Sequence, residues 1–432
     1  MTSSASVGTI RVVEPDVALA DRLLRELQDQ TSDTRGVTRM SYGPGEEIAH
    51  SMVRREAEAL GLVAETDAAR NLYVTLPGKI ETPRIVIGSH LDSVPMGGNY
   101  DGAVGVLMGL SVLSGLVDTG RRPPRTITVM AIRAEESAWF ATSYVGSRAS
   151  FGKLTLGELE TVVRAGDSVT LGHAITDAGG SVDDLAKGRA FWEPGDVTFF
   201  LEPHIEQGPV LSLKGIPLGI VTDIRGSLRF RSATCTGKFA HSGTTPREAR
   251  HDAVRAVSTL VVELDRLWQK FQEEAQDLTV TVGQFETDSD EASFSKVAGL
   301  VRFSIDMRSN SDATMTKCMS GLEALVDRIS NDCGVTFDLG PRTSTAPAKM
   351  HPAVIAGLKE AAGSTQQPVL EMPCGAGHDA ATFAALGIPT GMLLIRNENG
   401  SHNPDEYMDM ADFAAGADVL TEFCLSPPDF PR

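Results

Sequence analysis

"RIVIGSHLDSVPMGGNYDGAVGVLMGLSVLSGL", residues 84–116, sets the class of fold. Its opening is an almost unbroken apolar run, as in a parallel strand covered on both faces, and its close has the length and composition of a helix packed on a sheet. Between them, residues 88–105 hold His90, Asp92, Asp101 and five glycines. A strand that ends on a histidine, a turn too rich in glycine to be filler, and a helix restarting after an aspartate make one strand–loop–helix unit of an α/β protein.

The pattern repeats outward from there. "NLYVTLP" (71–77), "TITVMAIRAEE" (126–136) and "VTFFLEPH" (197–204) read as strands, and 46–62 as a further helix. Near residue 225 the texture changes. "SLRFRSATCTG" alternates as a half-buried antiparallel strand, and one long amphipathic helix opened by Pro246 follows. Strands at "LTVTVGQFETD" and "GLVRFSIDMRS", a helix over 311–331 and a short "VTFDLG" complete the order β-α-β-β-α-β of a split ferredoxin-like motif. From residue 343 the α/β texture returns, with a helix over 352–363, the strand "TGMLLIR" and a closing helix over 411–425. The expected architecture is a doubly wound α/β domain, residues 1–224 and 343–432, with an α+β domain at 225–342 inserted in it.

Composition narrows the function. A chain of 432 residues exceeds what one core usually organises, which favours two domains. A net charge of −18 argues against nucleic acid or an anionic membrane as partner, since both select a basic face. The five cysteines (Cys235, Cys318, Cys333, Cys374 and Cys424) are odd in number, widely spaced and without a C-x-x-C pair, which fits free thiols in the cytoplasm. "MTSSASVGTIRVVEPD" lacks the basic-then-apolar order of a signal peptide, and the run around 104–117 is too short and too broken by Gly and Ser to span a bilayer. A soluble cytoplasmic protein is expected.

The chemistry lies just past the strand ends. His90 and Asp92 follow one apolar run, Glu135 and Glu136 a second, His204 and Glu206 a third, and His402 a fourth. In open parallel sheets ligands bind beyond the carboxyl ends of the strands, where neighbouring loops converge. Singly, each has an ordinary structural explanation: a solvated Glu-Glu pair at a helix start, a turn histidine in "GSHNP", Asp101 as an N-cap. Their repetition at one end of one sheet points instead to a two-metal site, in which a shared carboxylate and a mixture of imidazole and carboxylate ligands hold two divalent ions. Asp101 can offer one oxygen to each ion, and Gly97 and Gly98 let the backbone turn without filling the site. Asp92 can hold the second nitrogen of the His90 ring. Glu135, beside ligand Glu136, is free to take a proton from an acidified water.

"GSHLDSVPMGGNYDGAVGV", "AEESAWFATSYVGSRASFGKL", "LEPHIEQGPVL", "GKFAHSGTTPREARHDA", "FSIDMRS", "GAGHDA" and "SHNPDEY" occur in an order that resembles the N-carbamoyl-L-amino acid hydrolases, β-ureidopropionases and allantoate amidohydrolases of the aminoacylase/carboxypeptidase metallopeptidase clan. The resemblance runs from about residue 35 to 415. It implies that His90, Asp101 and His204 hold one ion, and Asp101, Glu136 and His402 the other. Zinc is the first expectation, with manganese, cobalt or nickel as alternatives. It implies Glu135 as general base, Gln207 and Arg308 as substrate contacts, with Arg308 on a substrate carboxylate, and His378 near the substrate. It also implies that His241 stabilises the oxyanion from the inserted domain, which serves as lid and as homodimer surface.

Three positions depart from the family's usual sequence: Ser295 where an asparagine is common, Trp139 where an arginine is usual, and Pro203 ahead of His204. A hydroxyl cannot replace both functions of an amide, so Ser295 implies a changed grip on the amide or ureido end of the substrate. The expected activity is hydrolysis of a linear amide or ureido C–N bond in a small carboxylate-bearing molecule, such as an N-carbamoyl amino acid, allantoate or an N-acyl amino acid. Two rivals stand apart. One is a thiol amidase using Cys374 and His378, a weak pairing beside the likelihood of a structural thiol. The other is a non-catalytic metal-binding homologue, in which Glu135 would have no use.

Overall fold

A computed structural model describes residues 12–429. The reading of the N-terminal "MTSSASVGTIRVVEPD" rests mostly on residues 1–11, which lie outside that range. The chain divides into two compact units: Met1–Thr222 with Met350–Met372 and His378–Arg432, and Asp223–Lys349 with Pro373–Gly377.

The sheet of the first unit runs, in spatial order, through the strands Val63–Thr66, Leu72–Leu76, Arg125–Ile132, Ile80–His90, Val197–Ile205, Thr390–Ile395 and Leu218–Ile224. The four central neighbours, from Arg125–Ile132 to Thr390–Ile395, pair in parallel, and the flanking pairs are antiparallel. Strand Ile80–His90 lies between strands that follow it in sequence on either side, so chain order reverses at this point and the loops beyond its end diverge to open a crevice. The helix Ala103–Thr119 is buried all the way round from Ala103 to Leu116, because it packs against the sheet and also against the helices Val17–Thr31 and Met410–Leu425. Complete enclosure explains why its sequence is apolar without a stripe. Each fully buried Leu or Val there contributes about 2 kcal/mol of transfer free energy. Helix Val17–Thr31, whose Leu23, Leu24 and Leu27 enter the same core, was not singled out from sequence.

Residues 137–192 carry short helices such as Val145–Ser150, Leu156–Thr161 and Leu171–Asp177. With Tyr42 they enclose a separate core that includes Trp139, Phe140, Val145, Leu159 and Ile175.

In the second unit, an antiparallel sheet places Phe285–Thr287, Leu300–Ser309, Gly226–Thr236 and Thr336–Asp338 side by side. Phe303, Ile305 and Met307 of this sheet share a core with Val257, Leu260, Leu264, Leu322 and Ile329 of the helices Ala253–Glu273 and Asp312–Cys333. Two expectations shift. The long helix starts at Ala253 rather than Pro246, because Asp252 caps it through the Arg255 N–H while Pro246 only introduces a single 3-10 turn at Arg247–Ala249. The strand expected over 278–288 is two short ones, Thr279–Thr281 and Phe285–Thr287, both paired to Leu300–Ser309. Among the described residues no helix is long and apolar enough to cross a membrane.

Candidate metal centre

Three parallel strands deliver the chemistry to one end of the first sheet. Ile80–His90 ends on the buried His90, Val197–Ile205 carries the buried His204, and Arg125–Ile132 runs into a tight turn bearing Glu135 and Glu136. Ala134 in that turn has φ +53°, a left-handed conformation that the surroundings must hold in place. Two carboxylates do so. Glu46 accepts the Ala134 N–H at 2.9 Å and the Arg133 guanidinium at 3.0 Å, and Asp92 accepts the N–H groups of Glu135 and Glu136, each at 3.1 Å.

The loop after His90 reaches Asp101, and the next helix is capped by Gly102 at φ +67° rather than by the aspartate. Asp101 is thereby free to turn its carboxylate toward the imidazoles. His90 Nε2 and His204 Nε2 lie 3.4 and 3.3 Å from Asp101 Oδ1 and 3.4 Å from each other. The far nitrogens are fixed: His90 Nδ1 donates to the Asp92 backbone carbonyl at 3.0 Å, and His204 Nδ1 to the Ile205 carbonyl at 2.9 Å. Each ring in its neutral form therefore turns a lone pair inward. On the other side, His402 Nε2 is 3.3 Å from Glu136 Oε1 and 3.6 Å from Asp101 Oδ2. The two donor groups, His90–Asp101–His204 and Asp101–Glu136–His402, each converge within the reach of a single cation and share Asp101.

The donor set suits a divalent metal. Asp101 Oδ1 is buried without a well-formed hydrogen bond, although two imidazole nitrogens stand against it. The His90 lone pair, the His204 lone pair, which accepts the Gly102 N–H at 3.1 Å, and a carboxylate oxygen face one point and repel each other unless a cation lies among them. Burial disfavours the charge on Asp101, yet positive charge at the two imidazoles, when they are protonated, holds its carboxyl well below the usual range. Glu135 behaves oppositely. Burial pushes its carboxyl well above the ordinary value, with the neighbouring Glu136 and Asp379 charges adding to the effect and His90, 3.9 Å away, opposing it. A carboxyl with raised proton affinity beside a ligand cluster can carry a proton in a reaction.

The remaining expectations are distributed as follows. Asp92 does meet His90, but the imidazole nitrogen is closer to its backbone carbonyl than to its carboxylate at 3.4 Å; the carboxylate serves chiefly the turn at 135–136 and the Ser41 hydroxyl at 2.5 Å. Gln207 points into the centre and donates to Asp101 Oδ2 at 2.7 Å. His378 is buried against His204, ring centroids 4.4 Å apart. Glu206 is no ligand: it accepts the N–H groups of Val210 and Leu211 and caps a short helix. Trp139 is a core residue whose indole N–H donates to the Ser93 carbonyl at 2.7 Å. In the second unit, His241 and Ser295 are neighbours across a two-stranded ribbon, with the Ser242 N–H on the Ser295 carbonyl at 2.8 Å. His241 Nδ1 accepts from Gly243 and Thr244, so the neutral ring carries its hydrogen on Nε2. Arg308 pairs with Asp306 and donates to the Gly375 carbonyl at 2.8 Å.

Sequence reading missed the supporting shell. Glu406 accepts the N–H groups of Tyr100 and Asp101 at 2.8 and 3.1 Å, and the buried Glu202 sits 4.0 Å from His378 while accepting the Ala380 N–H at 2.6 Å. Glu406 lies four residues after His402 in a loop, where no periodicity marks it. Glu202 sits inside an apolar strand, and an acid in such a run is itself a signal that could have been used.

The chain has relatives among known proteins. The description "Peptidase family M20/M25/M40" matches residues 86–426. The chain belongs to that family. An N-carbamoyl-L-amino-acid amidohydrolase of Paenarthrobacter aurescens is 32% identical over 412 residues, which covers 93% of this chain and 97% of the relative. An allantoate amidohydrolase of Escherichia coli K12 is 30% identical over 387 residues, covering 89% and 91%. A crystal structure of a hydantoinase/carbamoylase family amidase from Burkholderia multivorans superposes with a TM-score of 0.86 at 29% identity, over 96% of this chain and 98% of the other. The match to the M20/M25/M40 family thus spans the strands that carry His90, Glu135, Glu136 and His204 and the loop that carries His402.

Proposed function

We propose that this chain is a metal-dependent amidohydrolase that cleaves a ureido or amide C–N bond, other than a peptide bond, in a small carboxylate-bearing substrate, foremost an N-carbamoyl amino acid. The observation that carries this reading is the pair of donor groups sharing Asp101, with the buried Glu135 beside them. His90, Asp101 and His204 would hold one divalent ion and Asp101, Glu136 and His402 a second, with zinc the best fit to imidazole and carboxylate ligands. Ions so held acidify water and polarise a carbonyl oxygen.

The chain's own residues supply the rest. Glu135 takes a proton from the attacking water at its carboxylate and returns it to the leaving nitrogen, a role suited to a carboxyl whose proton affinity is raised by burial. His241 offers its Nε2–H to the oxyanion that develops at the carbonyl carbon. Arg308 binds the substrate carboxylate, which requires it to exchange part of its pairing with Asp306. Gln207, Ser295 and His378 contact the amide or ureido end. A ureido substrate R–NH–CO–NH2 then consumes one water and yields R–NH2, carbon dioxide and ammonia.

In the same reading, the first unit is a doubly wound catalytic domain and the second, Asp223–Lys349 with Pro373–Gly377 where the sequence suggests 225–342, is an inserted ferredoxin-like domain that acts as lid and as homodimer surface. The helix and strand order within the second unit supports this. The cytoplasm is the proposed compartment, supported by five buried free cysteines. Metal-stripped protein reloaded with zinc, manganese, cobalt or nickel and offered N-carbamoyl, ureido and N-acyl substrates tests the whole. Ammonia release that vanishes with the metal supports a ureido substrate, and release of a carboxylic acid without ammonia supports an N-acyl one. Undiminished turnover after chelation refutes the proposal.

A further inference from the structure

The two loops that bring Asp101 and His402 together are far apart in sequence, and one buried side chain joins them. Glu406 Oε1 accepts the backbone N–H of Tyr100 at 2.8 Å and of Asp101 at 3.1 Å. Its Oε2 faces the Ser401 hydroxyl at 2.6 Å, and the same hydroxyl lies 2.5 Å from Asp101 Oδ2. One carboxylate therefore fixes the backbone of the shared ligand and, through the residue next to His402, the loop that presents His402. The loop needs such an anchor: His402 sits at φ +60° with 47% of its side chain exposed, whereas His90 and His204 are buried at the ends of paired strands.

Gly98 is shaped for the same contact. A Cβ at that position would overlap the carboxyl carbon and Oε1 of Glu406, while the Gly98 backbone has no positive φ to demand glycine. The space is kept for the Glu406 side chain. The sequence suggests that Gly98 leaves room in the ligand site; its actual neighbour is this second carboxylate.

We infer that Glu406 is a positioning residue that selectively sets the affinity of the ion held by Asp101, Glu136 and His402, by clamping the 97–102 and 398–407 loops to each other. The inference rests on the two-ion reading above. The first ion shares Asp101 with the second, but its other two ligands, His90 and His204, sit on strand ends that Glu406 does not touch, whereas the second ion has both Asp101 and the His402 loop held by Glu406, so the first weakens far less. Carboxylates that support metal ligands typically contribute 10- to 100-fold in metal affinity.

Zinc binding to the full-length protein, measured by competition with a chromophoric chelator and by metal content after dialysis, tests this. Wild type takes up two ions. Glu406→Ala weakens one by about 10- to 100-fold and leaves the other within about threefold. Glu406→Gln restores most of the loss, because its amide oxygen still accepts the two N–H groups and its amide nitrogen can donate to Ser401 Oγ. Gly98→Ala, which removes no donor or acceptor, reproduces the selective loss. Two tight ions in Glu406→Ala overturn the inference, as does an equal weakening of both ions, the mark of a merely structural role. Wild-type protein that takes up only one ion overturns the two-ion reading itself, and is seen before any variant is made.

Discussion

Replacing Gly102 by alanine places a methyl group 2.5 Å from His90 Cε1 and Nδ1 and 2.6 Å from Nε2, across the edge of the ring. Ordinary contact begins near 3.4 Å, so the imidazole must retreat by about 1 Å, a displacement that typically costs about 100-fold in rate when it falls on catalytic geometry. The ring has little room to yield. It is buried and tethered through Nδ1 to the Asp92 carbonyl. Gly102 has φ +67° and ψ −51°, a γ-turn geometry outside the left-handed helical well, so alanine there costs more than the about 1–2 kcal/mol of ordinary left-handed strain, and each kcal/mol lowers Tm by roughly 2–4 °C in a domain of this size. Gly120→Ala separates the two effects. At φ +62° and ψ +18° it lies in the milder left-handed well with nothing within 4 Å of the added methyl, so it should lose fewer degrees than Gly102→Ala and keep full activity. The assay is zinc stoichiometry and affinity, thermal denaturation, and kcat/KM on an N-carbamoyl amino acid. Gly102→Ala is expected to bind the His90–His204 ion at least tenfold more weakly and to lose about 100-fold in kcat/KM. A Gly102→Ala protein with both ions at wild-type affinity and kcat/KM within threefold of wild type would refute the placement of His90 as a ligand.

Glu135→Gln should retain both ions and lose about 10²- to 10⁴-fold in kcat, the range for a general base, and unchanged turnover in a fully loaded variant removes Glu135 from that role. His90→Ala and His402→Ala should each abolish a different one of the two ions, which metal titration of the two variants side by side will reveal; loss of the same ion contradicts the division of ligands at Asp101. His241→Ala should lower kcat by about 10²- to 10³-fold while both zinc affinities stay at the wild-type value, since the residue lies outside the ligand set. Trp139→Phe should cost about 1–3 kcal/mol by urea denaturation, because the Ser93 carbonyl loses its buried donor, and leave KM unchanged. A change in KM without loss of stability would place position 139 in the substrate pocket.

Much was legible in the one-dimensional pattern because the chemistry sits where strands stop. An apolar run followed at once by His90, Glu136 or His204 records two facts: the strand is buried, and its end opens on a polar crevice. The class of fold and a set of strand-end candidates that includes His90, Glu136, His204 and His402 follow from that, since burial and strand termination are properties of neighbouring residues; Asp101 and the choice among neighbouring acids come from the Gly-rich turn and the family resemblance. The sequence is silent where the determinant is a contact between distant segments. It could not pair Glu406 with the Asp101 backbone, assign Gly98 to that carboxylate, turn the Asp92 carboxylate from His90 toward the Glu135 and Glu136 amides, or seat Trp139 in the core. Each of these depends on which donor meets which acceptor in a space closed to water, where an unpaired partner costs more than a paired one contributes. Chain order carries local burial; only the folded chain decides who satisfies whom.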